Sequence, residues 1–449
     1  MRIDGVYLKG VGPFGEVRLD FQPKKASDKA DLHIFVGQNG SGKSTLLYAM
    51  AAALAGPEEG FGPNHALRRM YGKDSLFALS AEGSVFAITN MDRALAKHIK
   101  EPFSGQATQP GVPSSKGDYV LRQSANPNRI AQYRSAAAKH IHVSGWPALN
   151  FAAFAYSGSR SLVDQSVSAI EEPTDGPLAQ SLSFDNTVDP KRLAQWLSAT
   201  FAKRALAKER SHSQDAERFG TSIERIEEVV SEVTGAPIKL AFDYAPHFRI
   251  LAERHGRTID LDLLADGLKS ILSWIADLLM RLDRIPWEPN VAVIERSFAL
   301  FLDEIDIHLH PAWQRKVLLV VQKLFPQAQI FVTTHSPFVV SSVSDAWVYR
   351  LVVDEKGDAH ALPPVESQAG TSFQAVVKSI FGVEEEFDED TEAGFRRFYE
   401  FRERILSGDM TRFDEFKALG AQLAARGVEV SDIVGAEMAR VARRMGQRS

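Results

Sequence analysis

The sequence predicts an α/β fold in which the strands of a largely parallel sheet alternate with helices, and four stretches predict it. Residues 32–36 form a short apolar run, and residues 43–54, rich in Ala and Leu, have the composition of a helix. Residues 298–302 and 329–333 are further apolar runs of strand length. Buried parallel strands have this continuous apolar character, and their carboxyl ends meet at one edge of the sheet. The residues that follow these runs are therefore the candidates for a functional site.

A glycine-rich segment lies between the first strand and its helix. It comprises Gly37, Gln38, Asn39, Gly40, Ser41, Gly42, Lys43 and Ser44, followed by Thr45, and it matches G-x-x-x-x-G-K-[ST] at every fixed position. Such glycines let backbone N–H groups turn inward around a phosphate, and the next helix presents its positive end to the anion. We expect Lys43 to reach the β- and γ-phosphates and the Ser44 hydroxyl to ligate Mg²⁺. The strand and helix on either side favour a nucleoside triphosphate site over a chance glycine turn.

The composition is that of a globular protein with a substantial core. The chain has 449 residues, of which 44% are hydrophobic and 24% charged, and its net charge is −5. That charge provides no overall basic field for nucleic acid, although local basic patches are compatible with it. The chain contains no cysteine, which excludes disulfides, thiolate metal sites and cysteine nucleophiles. We expect a soluble cytoplasmic protein, because residues 1–10 lack the core of a signal peptide and no run approaches the ~18 apolar residues of a membrane span.

Polar side chains follow the two later strands. Asp303 and Glu304 come directly after the strand at 298–302, and a parallel arrangement brings them close to the γ-phosphate. We expect Asp303 to hold Mg²⁺, directly or through water, and Glu304 to act as general base on the attacking water. His335 follows the strand at 329–333, where an imidazole can hydrogen-bond a γ-phosphate and sense its loss. The alternative, a buried strand that ends in solvated acids, is disfavoured by the upstream phosphate loop.

Two segments carry a family resemblance. Residues 301–311 (F-L-D-E-I-D-I-H-L-H-P) and 333–337 (T-T-H-S-P) resemble the ABC-type ATPases of the SMC and recombination-repair group, in their short branch without a coiled coil. The resemblance implies a P-loop ATPase fold with a mixed sheet, an inserted lobe of helices and strands, and a C-terminal helical extension. It also implies that Asp306 is the D-loop acid, which crosses to a partner subunit, and that His335 is the switch histidine.

The same resemblance implies a signature motif that caps the γ-phosphate of an opposite subunit. Residues 264–270, followed by a helical stretch, stand where this motif belongs, so Asp266 and Gly267 are expected at the partner's phosphate. Ala265 stands where the family has serine, and the hydroxyl contact across the interface is therefore missing. The Gly267 backbone and the helix N-terminus remain to bind phosphate. Hydrolysis is then expected to be slow or to depend on a partner, and an ordinary helix start is the alternative.

The chain divides into four predicted parts. These are an N-terminal ATPase lobe (1–95), an insertion (96–254), a C-terminal ATPase lobe (255–360) and a helical extension that binds a partner (361–449). The insertion is expected to contain a long loop at 101–128, helices from Asp189 to Val233 with a break at Gly220, and a β-hairpin at 238–259 with its tip near Gly256. The extension is expected to contain helices at 372–381, 393–406 and 412–425, with an acidic linker at 384–390.

Three features of the insertion leave alternatives open. The family's Q-loop glutamine follows a strand between the phosphate loop and the signature; the sequence does not place it, and Gln132 is a weak candidate. Arg160 resembles an arginine that reaches phosphate or a partner in this branch, but an ordinary structural arginine explains it equally well. Lys203, Arg204, Lys208 and Arg210 form a basic cluster, which a solvated helix face explains better than contact with DNA.

The resemblance gives several functional hypotheses. A site split between the phosphate loop and the signature implies a head-to-tail homodimer or a higher oligomer that encloses ATP and Mg²⁺ and changes shape on hydrolysis. The C-terminal tail is similar to those of defence ATPases of the Septu and retron-associated type, so we expect control of an effector, a nuclease or toxin on a separate chain, in anti-phage defence. The alternatives are a DNA-repair ATPase that engages DNA directly and an ATP-bound scaffold with little turnover; a transporter subunit and a membrane partner are disfavoured.

Overall fold

The computed structural model describes residues 1–24, 26–55, 71–81, 84–89, 119–122, 133, 136–137, 147–158, 169–245, 247–368 and 370–446. The chain falls into two compact units, Met1–Val376 and Val377–Ser449, and each is described by itself. Within the described ranges, no helix is both long enough and apolar enough to cross a membrane.

The larger unit contains strands and helices in alternation. Its strands are β1 (Ile3–Val11), β2 (Phe14–Asp20), β3 (Asp31–Gly37), β4 (Tyr71–Ala81), β5 (Ser84–Thr89), β6 (Tyr119–Arg122), β7 (Ala152–Tyr156), β8 (Lys239–Asp243), β9 (Arg249–Arg254), β10 (Arg257–Asp260), β11 (Phe298–Leu302), β12 (Gln329–Thr333), β13 (Ala346–Val353), β14 (Ala359–Ala361) and β15 (Val365–Glu366). Its helices are α1 (Lys43–Ala55), α2 (Pro190–Glu209), α3 (Ser213–Thr234), α4 (Asp266–Arg284), α5 (Pro311–Leu324), α6 (Pro337–Ser342) and α7 (Phe373–Val376).

A mixed seven-stranded sheet organises this unit. Its order is β14-β13-β3-β12-β11-β7, and β15 also pairs with β13. The strands from β13 to β7 run parallel, whereas β14 and β15 are antiparallel to β13. Every residue of β7, β11 and β12 is buried, which explains the unbroken apolar runs of these strands. The predicted P-loop ATPase fold with a mixed sheet is confirmed.

Two antiparallel sheets accompany the central sheet. One has the order β2-β1-β4-β5-β6 and begins with a hairpin that turns at Gly12-Pro13. Its strand β6 lies inside the segment 101–128 that was predicted to be a loop, and the prediction is wrong for those four residues; the rest of that segment lies outside the described residues. The other sheet has the order β10-β9-β8. It contains the predicted hairpin at 238–259, whose turn at Gly256 joins β9 to β10, and β8 is an additional strand on the other side of β9.

The helices α2 and α3 differ from the prediction at the break between them. Asp189 caps α2 as expected, since its side chain accepts hydrogen bonds from the backbone N–H groups of the next turn. The break, however, lies at residues 210–212, where Ser211 has a φ of 57°, and Gly220 lies inside α3. A Cβ at Gly220 would meet the Arg204 guanidinium at 2.9 Å, so the glycine makes room for a crossing side chain and does not end the helix.

The predicted basic cluster lies on α2 and just after it. Arg204 pairs with Glu224 at 2.5 Å, and Lys203 pairs with Glu172. Lys208 and Arg210 are exposed. Two of the four cations thus have carboxylate partners within the chain, as expected of a solvated, ion-paired helix face.

The smaller unit is helical. After a π-helical turn at Val377–Phe381 it contains α8 (Glu389–Ser407), α9 (Phe413–Ala424) and α10 (Val428–Gly446). Its core is Phe395, Phe398, Ile405, Phe416, Leu423, Val430, Val434 and Val441. The predicted acidic linker ends earlier than expected, because Asp388 caps α8 through the Thr391 backbone N–H at 3.0 Å. Helix α10 was not predicted, although Val430, Val434 and Val441 follow its period.

Candidate nucleotide-binding site

The phosphate loop connects β3 to α1 at the edge where the parallel strands end. Gly40 and Gly42 have positive φ angles of 81° and 88°, a conformation that only glycine adopts at little cost. A Cβ at Gly42 would also lie 2.6 Å from the ring of Phe14, at the start of β2. The turn between β1 and β2 therefore packs directly on the loop. No atom lies within 4 Å of the Cβ position of Gly40, so that side of the loop faces open space.

Lys43 begins α1 and is only 6% exposed. Its ammonium donates hydrogen bonds to the carbonyl oxygens of Gly37 at 3.0 Å and Gln38 at 2.9 Å. Burial lowers the pKa of Lys43, and the carboxylates of Asp303, Glu304 and Asp306 act against that shift. The only cation of the phosphate loop thus lies within electrostatic reach of the acids that follow β11.

Hydrogen bonds join α1, β11 and β12 at the Asp303 carboxylate. Ser44 Oγ donates to Asp303 Oδ1 at 2.9 Å, and Thr333 Oγ1 donates to the same oxygen at 2.5 Å. Thr333 Oγ1 also accepts the Glu304 backbone N–H at 2.7 Å. Asp303 is 5% exposed and Thr333 is fully buried. The two predicted metal ligands are therefore in contact, and Thr333, for which the sequence analysis assigned no role, positions both acids.

The donor atoms at this point fit Mg²⁺. A hydroxyl and a carboxylate oxygen are hard ligands, and Mg²⁺ is typically held by few protein oxygens together with substrate phosphates and water. Within the described ranges, no group of three or more His, Cys, Asp or Glu side chains is arranged to hold a metal by itself. The pair Ser44 and Asp303 therefore suits a metal that arrives with a phosphate ligand.

Glu304 occupies a strained and crowded position after β11. Its φ is 47°, which is unfavourable for a non-glycine residue and concentrates at functional sites. A Cβ at Gly158, which follows β7, would lie 2.9 Å from the Glu304 Cβ, so the absence of a side chain there leaves room for Glu304. Burial raises the pKa of Glu304, and the neighbouring Asp303 and Asp306 raise it further. A raised pKa favours proton uptake, as a general base requires.

Asp306 and His335 meet on the other side of the same edge. Asp306 Oδ1 accepts the Thr334 hydroxyl at 2.6 Å and the His335 backbone N–H at 3.3 Å. Burial and the Lys43 ammonium lower the pKa of His335, against the effect of Asp306 and Asp303, which favours a neutral imidazole at neutral pH. The structure thus brings Lys43, Asp303, Glu304, Asp306 and His335 together, and their individual roles stay predictions.

The signature segment lies at the start of α4. Asp266 begins this helix and pairs with Lys269 at 2.9 Å, with 73% of its side chain exposed. A Cβ at Gly267 would lie 2.4 Å from the carbonyl oxygen of His308, so this glycine allows the helix to pack against the segment that carries Asp306. Within the described residues, Asp266 pairs with Lys269, and the atoms nearest to the Cβ position of Gly267 belong to His308 and Trp313 and not to the phosphate loop.

The strand β7 is one of the strands that the Q-loop glutamine was predicted to follow. It lies between the phosphate loop and the signature in sequence, pairs with β11 and is followed by Ser157 and Gly158. Glutamine does not stand at either position. The candidates Gln132 and Arg160 lie outside the described residues.

Two family models match the chain. The first, described as "AAA domain, putative AbiEii toxin, Type IV TA system", covers residues 159–341, and the second, described as "AAA domain", covers residues 6–100. Together they include the phosphate loop, the signature segment, both acids and His335. The chain contains AAA-type domain sequence over these residues. The predicted assignment to the AAA group is confirmed.

This ATPase is also similar to curated proteins. It is 29% identical over 142 residues to the "Septu protein PtuA" of Bacillus thuringiensis. These residues cover 31% of this chain and 36% of that protein. It is 27% identical over 176 residues to the "Retron Ec83 probable ATPase" of Escherichia coli. These residues cover 39% of this chain and 31% of that protein. The ATPase therefore matches about a third of the length of each of these relatives.

Solved structures with a similar outline include SMC head domains. The SMC head bound to the C-terminal winged-helix domain of ScpA covers 82% of this ATPase and 98% of that chain, with 13% identity and a TM-score of 0.47. The SMC head domain from Thermotoga maritima covers 82% of this ATPase and all of that chain, with 15% identity and a TM-score of 0.40.

Proposed function

We propose that this protein hydrolyses ATP in a Mg²⁺-dependent reaction and uses the resulting change of shape to control an effector in anti-phage defence. One observation carries the catalytic part: Ser44 and Thr333 both donate to Asp303 Oδ1, with Lys43 and Glu304 next to them. This arrangement gathers a phosphate-binding loop, two oxygen ligands for a metal and a carboxylate of raised pKa at one edge of the sheet.

Each residue has a defined task in this proposal. The loop from Gly37 to Thr45 binds the phosphates through backbone N–H groups, and Lys43 pairs with them. Ser44 and Asp303 hold Mg²⁺, which when bound neutralises the charge that develops on the phosphate oxygens. Glu304 accepts a proton from the attacking water, with its backbone N–H fixed by Thr333. His335 donates a hydrogen bond to the γ-phosphate from its neutral imidazole.

A second copy of the chain completes the site. Helix α4 begins with the exposed Asp266 and with Gly267. Within their own chain these residues contact Lys269 and His308, and the N-terminus of the helix is therefore available to a partner's phosphate. Leu263, three residues before Asp266, is 72% exposed, as a large apolar side chain at an interface between copies would be. We infer a head-to-tail dimer or higher oligomer, in which Asp306 lies close to the interface.

The relatives support the role in defence. Proteins named as a Septu protein and as a retron ATPase match 31% and 39% of this chain. We place the effector, a nuclease or toxin on a separate chain, on the helical unit from Val377 onward, because this unit has its own core and contains none of the proposed site residues. Of the alternatives, direct engagement of DNA by the basic cluster is weakened by the carboxylate partners of Lys203 and Arg204.

The first test concerns the ATPase itself. We expect Lys43→Ala to abolish nucleotide binding and Glu304→Gln to bind ATP while its turnover falls by roughly 10²- to 10⁴-fold. The exposed Lys356→Ala and Glu355→Gln serve as matched controls and are expected to behave as the wild type. Fluorescent-nucleotide binding, phosphate release and light scattering of the purified variants are the measurements. Equal turnover by Glu304→Gln and the wild type would exclude Glu304 as the base.

The second test identifies what the ATPase controls. Tagged Glu304→Gln, which we expect to accumulate in the closed dimer, is captured from its host in the presence of ATP, and bound proteins and nucleic acids are identified. A stoichiometric protein with a nuclease or toxin fold supports effector control. Recovery of DNA without a protein partner contradicts it and favours the repair function. A homo-oligomer with neither favours an ATP-bound scaffold.

A further inference from the structure

A fully buried ion pair lies within α4, the helix that begins at the signature segment. Arg281 Nε donates to Asp277 Oδ2 at 2.6 Å, and neither side chain is exposed to solvent. Asp277 lies about three turns after Asp266, so the pair is remote from the start of the helix. Taking two charges out of water costs free energy, and replacing such a pair by apolar side chains is often neutral or stabilising. Stability alone therefore does not explain the pair.

Tyr156 connects the same carboxylate to the edge of the central sheet that carries the nucleotide site. Its hydroxyl donates to Asp277 Oδ2 at 2.9 Å, and its ring packs beside Trp274 of α4 with centroids 6.1 Å apart. Tyr156 is the last residue of β7, and its carbonyl oxygen accepts the Asp303 backbone N–H at 2.9 Å. Two consecutive hydrogen bonds thus lead from the signature helix, through one residue, to the backbone that carries Asp303 and Glu304.

Arg281 fastens α4 to the same strand by a second route. Its guanidinium donates to three carbonyl oxygens of the segment 177–187, those of Pro177 at 2.8 Å, Ala179 at 2.9 Å and Thr187 at 2.6 Å. This segment is in turn bound to Ala155 of β7, whose N–H donates to the Ser181 carbonyl at 2.7 Å and whose carbonyl accepts the Thr187 hydroxyl at 2.6 Å. A planar guanidinium that binds several carbonyls at once holds them in a fixed arrangement.

The Asp277 carboxylate depends on few partners. Within the residues that the structure describes, its buried Oδ1 has no hydrogen-bond partner, so the bonds from Tyr156 and Arg281 both converge on Oδ2. Burial raises the pKa of Tyr156, and Asp277 raises it further, so the phenol keeps its proton and acts as the donor. Removing that hydroxyl would leave Arg281 alone to orient Asp277.

We propose that Tyr156, Asp277 and Arg281 are positioning residues that couple the two nucleotide sites of a dimer. The inference rests on the proposed function, since it assumes that α4 of one chain binds the phosphate held by its partner. A nucleotide in the partner fixes the start of α4, and the buried connection transmits the position of α4 to Asp303 and Glu304 of its own chain. ATP bound at one site thereby aligns the acids at the other.

A purely structural role and a coupling role make different predictions. Residues with a purely structural role contribute to the free energy of unfolding and leave the response to ATP concentration unchanged. Residues that connect the two sites also determine how steeply turnover rises with ATP, because coupled sites give a Hill coefficient above one and at most the number of sites. The Hill coefficient therefore separates the two roles.

The experiment compares Tyr156→Phe with the wild type, because phenylalanine keeps the ring beside Trp274 and removes only the hydroxyl. Phosphate release is measured against ATP concentration, at protein concentrations at which the dimer forms, and fluorescent-nucleotide binding is measured on the monomer. We expect the wild type to be cooperative, and we expect the Hill coefficient of Tyr156→Phe to fall to about 1 and its maximal turnover to fall by about 5-fold or more. Nucleotide binding by the monomer is expected to stay as in the wild type.

Arg281→Lys is a second variant, which tests the inference even if Tyr156→Phe fails to fold. Lysine keeps the positive charge but lacks the planar fork that binds several carbonyls. We expect a smaller decrease of the Hill coefficient, because the bond from Tyr156 to Asp277 persists.

Tyr133→Phe is the matched control. Tyr133 is also fully buried, and its hydroxyl donates to the Ala153 carbonyl of the same strand at 3.1 Å. The substitution therefore removes a buried hydroxyl beside β7 and leaves the bond from Tyr156 to Asp277 in place. We expect it to lower the Tm about as much as Tyr156→Phe does and to keep the wild-type Hill coefficient.

Two results would overturn the inference while leaving the proposed ATPase intact. One is a wild-type Hill coefficient for Tyr156→Phe, and the other is a wild type that hydrolyses ATP without cooperativity. A wild type that hydrolyses no ATP would instead refute the proposed function, and this inference with it.

Discussion

The two ends of the nucleotide site are built differently. At the phosphate-loop end, Lys43 and Asp303 are about 95% buried, and hydrogen bonds tie α1, β11 and β12 together at a single carboxylate oxygen. At the signature end, Ala265 is the N-cap residue before α4 and makes no side-chain hydrogen bond to it, and the side chain of Asp266, the first residue of the helix, is 73% exposed. What holds this end is the close packing of Gly267 on the backbone of His308.

This difference shows which end needs a partner. At the phosphate-loop end, Ser44, Asp303 and Thr333 find their hydrogen-bond partners within one chain, so we expect a monomer to bind nucleotide. At the signature end, the N-terminus of α4 is accessible. This is expected of a surface that a second copy of the chain completes. Nucleotide binding and nucleotide hydrolysis are therefore expected to respond to different substitutions, and three substitutions test this separation.

The largest expected effect is that of Thr333→Val, at the buried end. The substitution keeps the shape of the side chain but removes the acceptor of the Glu304 backbone N–H and one of the two hydroxyl donors of Asp303 Oδ1. We expect turnover to fall about 100-fold and the free energy of unfolding to fall by about 1–3 kcal/mol. Phosphate release and urea denaturation are the measurements.

Thr200→Val is the control for this substitution. Thr200 is also buried, but its hydroxyl donates within its own helix to the Trp196 carbonyl at 2.7 Å. It is expected to leave turnover unchanged. Wild-type turnover by Thr333→Val would show that the hydrogen bonds at Asp303 do not determine catalysis, and the contrast between the two ends would lose its basis.

The second substitution, Gly267→Ala, acts at the signature end. The added methyl would lie 2.4 Å from a backbone carbonyl, which cannot rotate away, so we expect a loss of about 1–3 kcal/mol in the free energy of unfolding. Turnover is expected to fall roughly 10-fold, because the start of α4 shifts. Nucleotide binding by the monomer should persist, since the phosphate loop is untouched.

Gly435→Ala provides a control of opposite sign. Gly435 lies in α10 with no atom within 4 Å of its Cβ position, so alanine there is expected to stabilise the helix by about 0.5–1 kcal/mol. A Gly267→Ala protein that is more stable than the wild type and keeps full turnover would show that the packing of α4 on the His308 backbone does not hold the signature end in place.

The success of sequence reasoning also differs between local and long-range features. The phosphate loop, the strand before Asp303 and the cap at Asp189 depend on neighbouring residues, and each lies where the sequence predicted it. The roles of Thr333 and Gly158 depend on contacts between segments far apart in the chain, such as the hydrogen bond from Thr333 to Asp303. Gly220 illustrates the same limit, because only the crossing of Arg204 explains a glycine inside a helix.

The smallest effect is expected of Ala265→Ser, which restores the residue that the family resemblance places at the start of the signature helix. Ala265 has φ −57° and ψ 142°, the extended backbone of an N-cap, so a serine hydroxyl can accept an N–H of the first turn. We expect the free energy of unfolding to rise by about 0.5–1 kcal/mol in the monomer.

Turnover distinguishes two explanations of the missing serine. If the hydroxyl also reaches the partner's phosphate, ATP hydrolysis rises several-fold, and it does so only at concentrations at which the dimer forms. Ala292→Ser is the matched control, since Ala292 has nearly the same backbone angles (φ −57°, ψ 149°) before a short 3₁₀ helix away from the site. A gain in stability without a gain in turnover would mean that the Gly267 backbone alone suffices at the partner's phosphate. The exposed end of the site would then be complete as it stands, and the slow step would lie at the buried end.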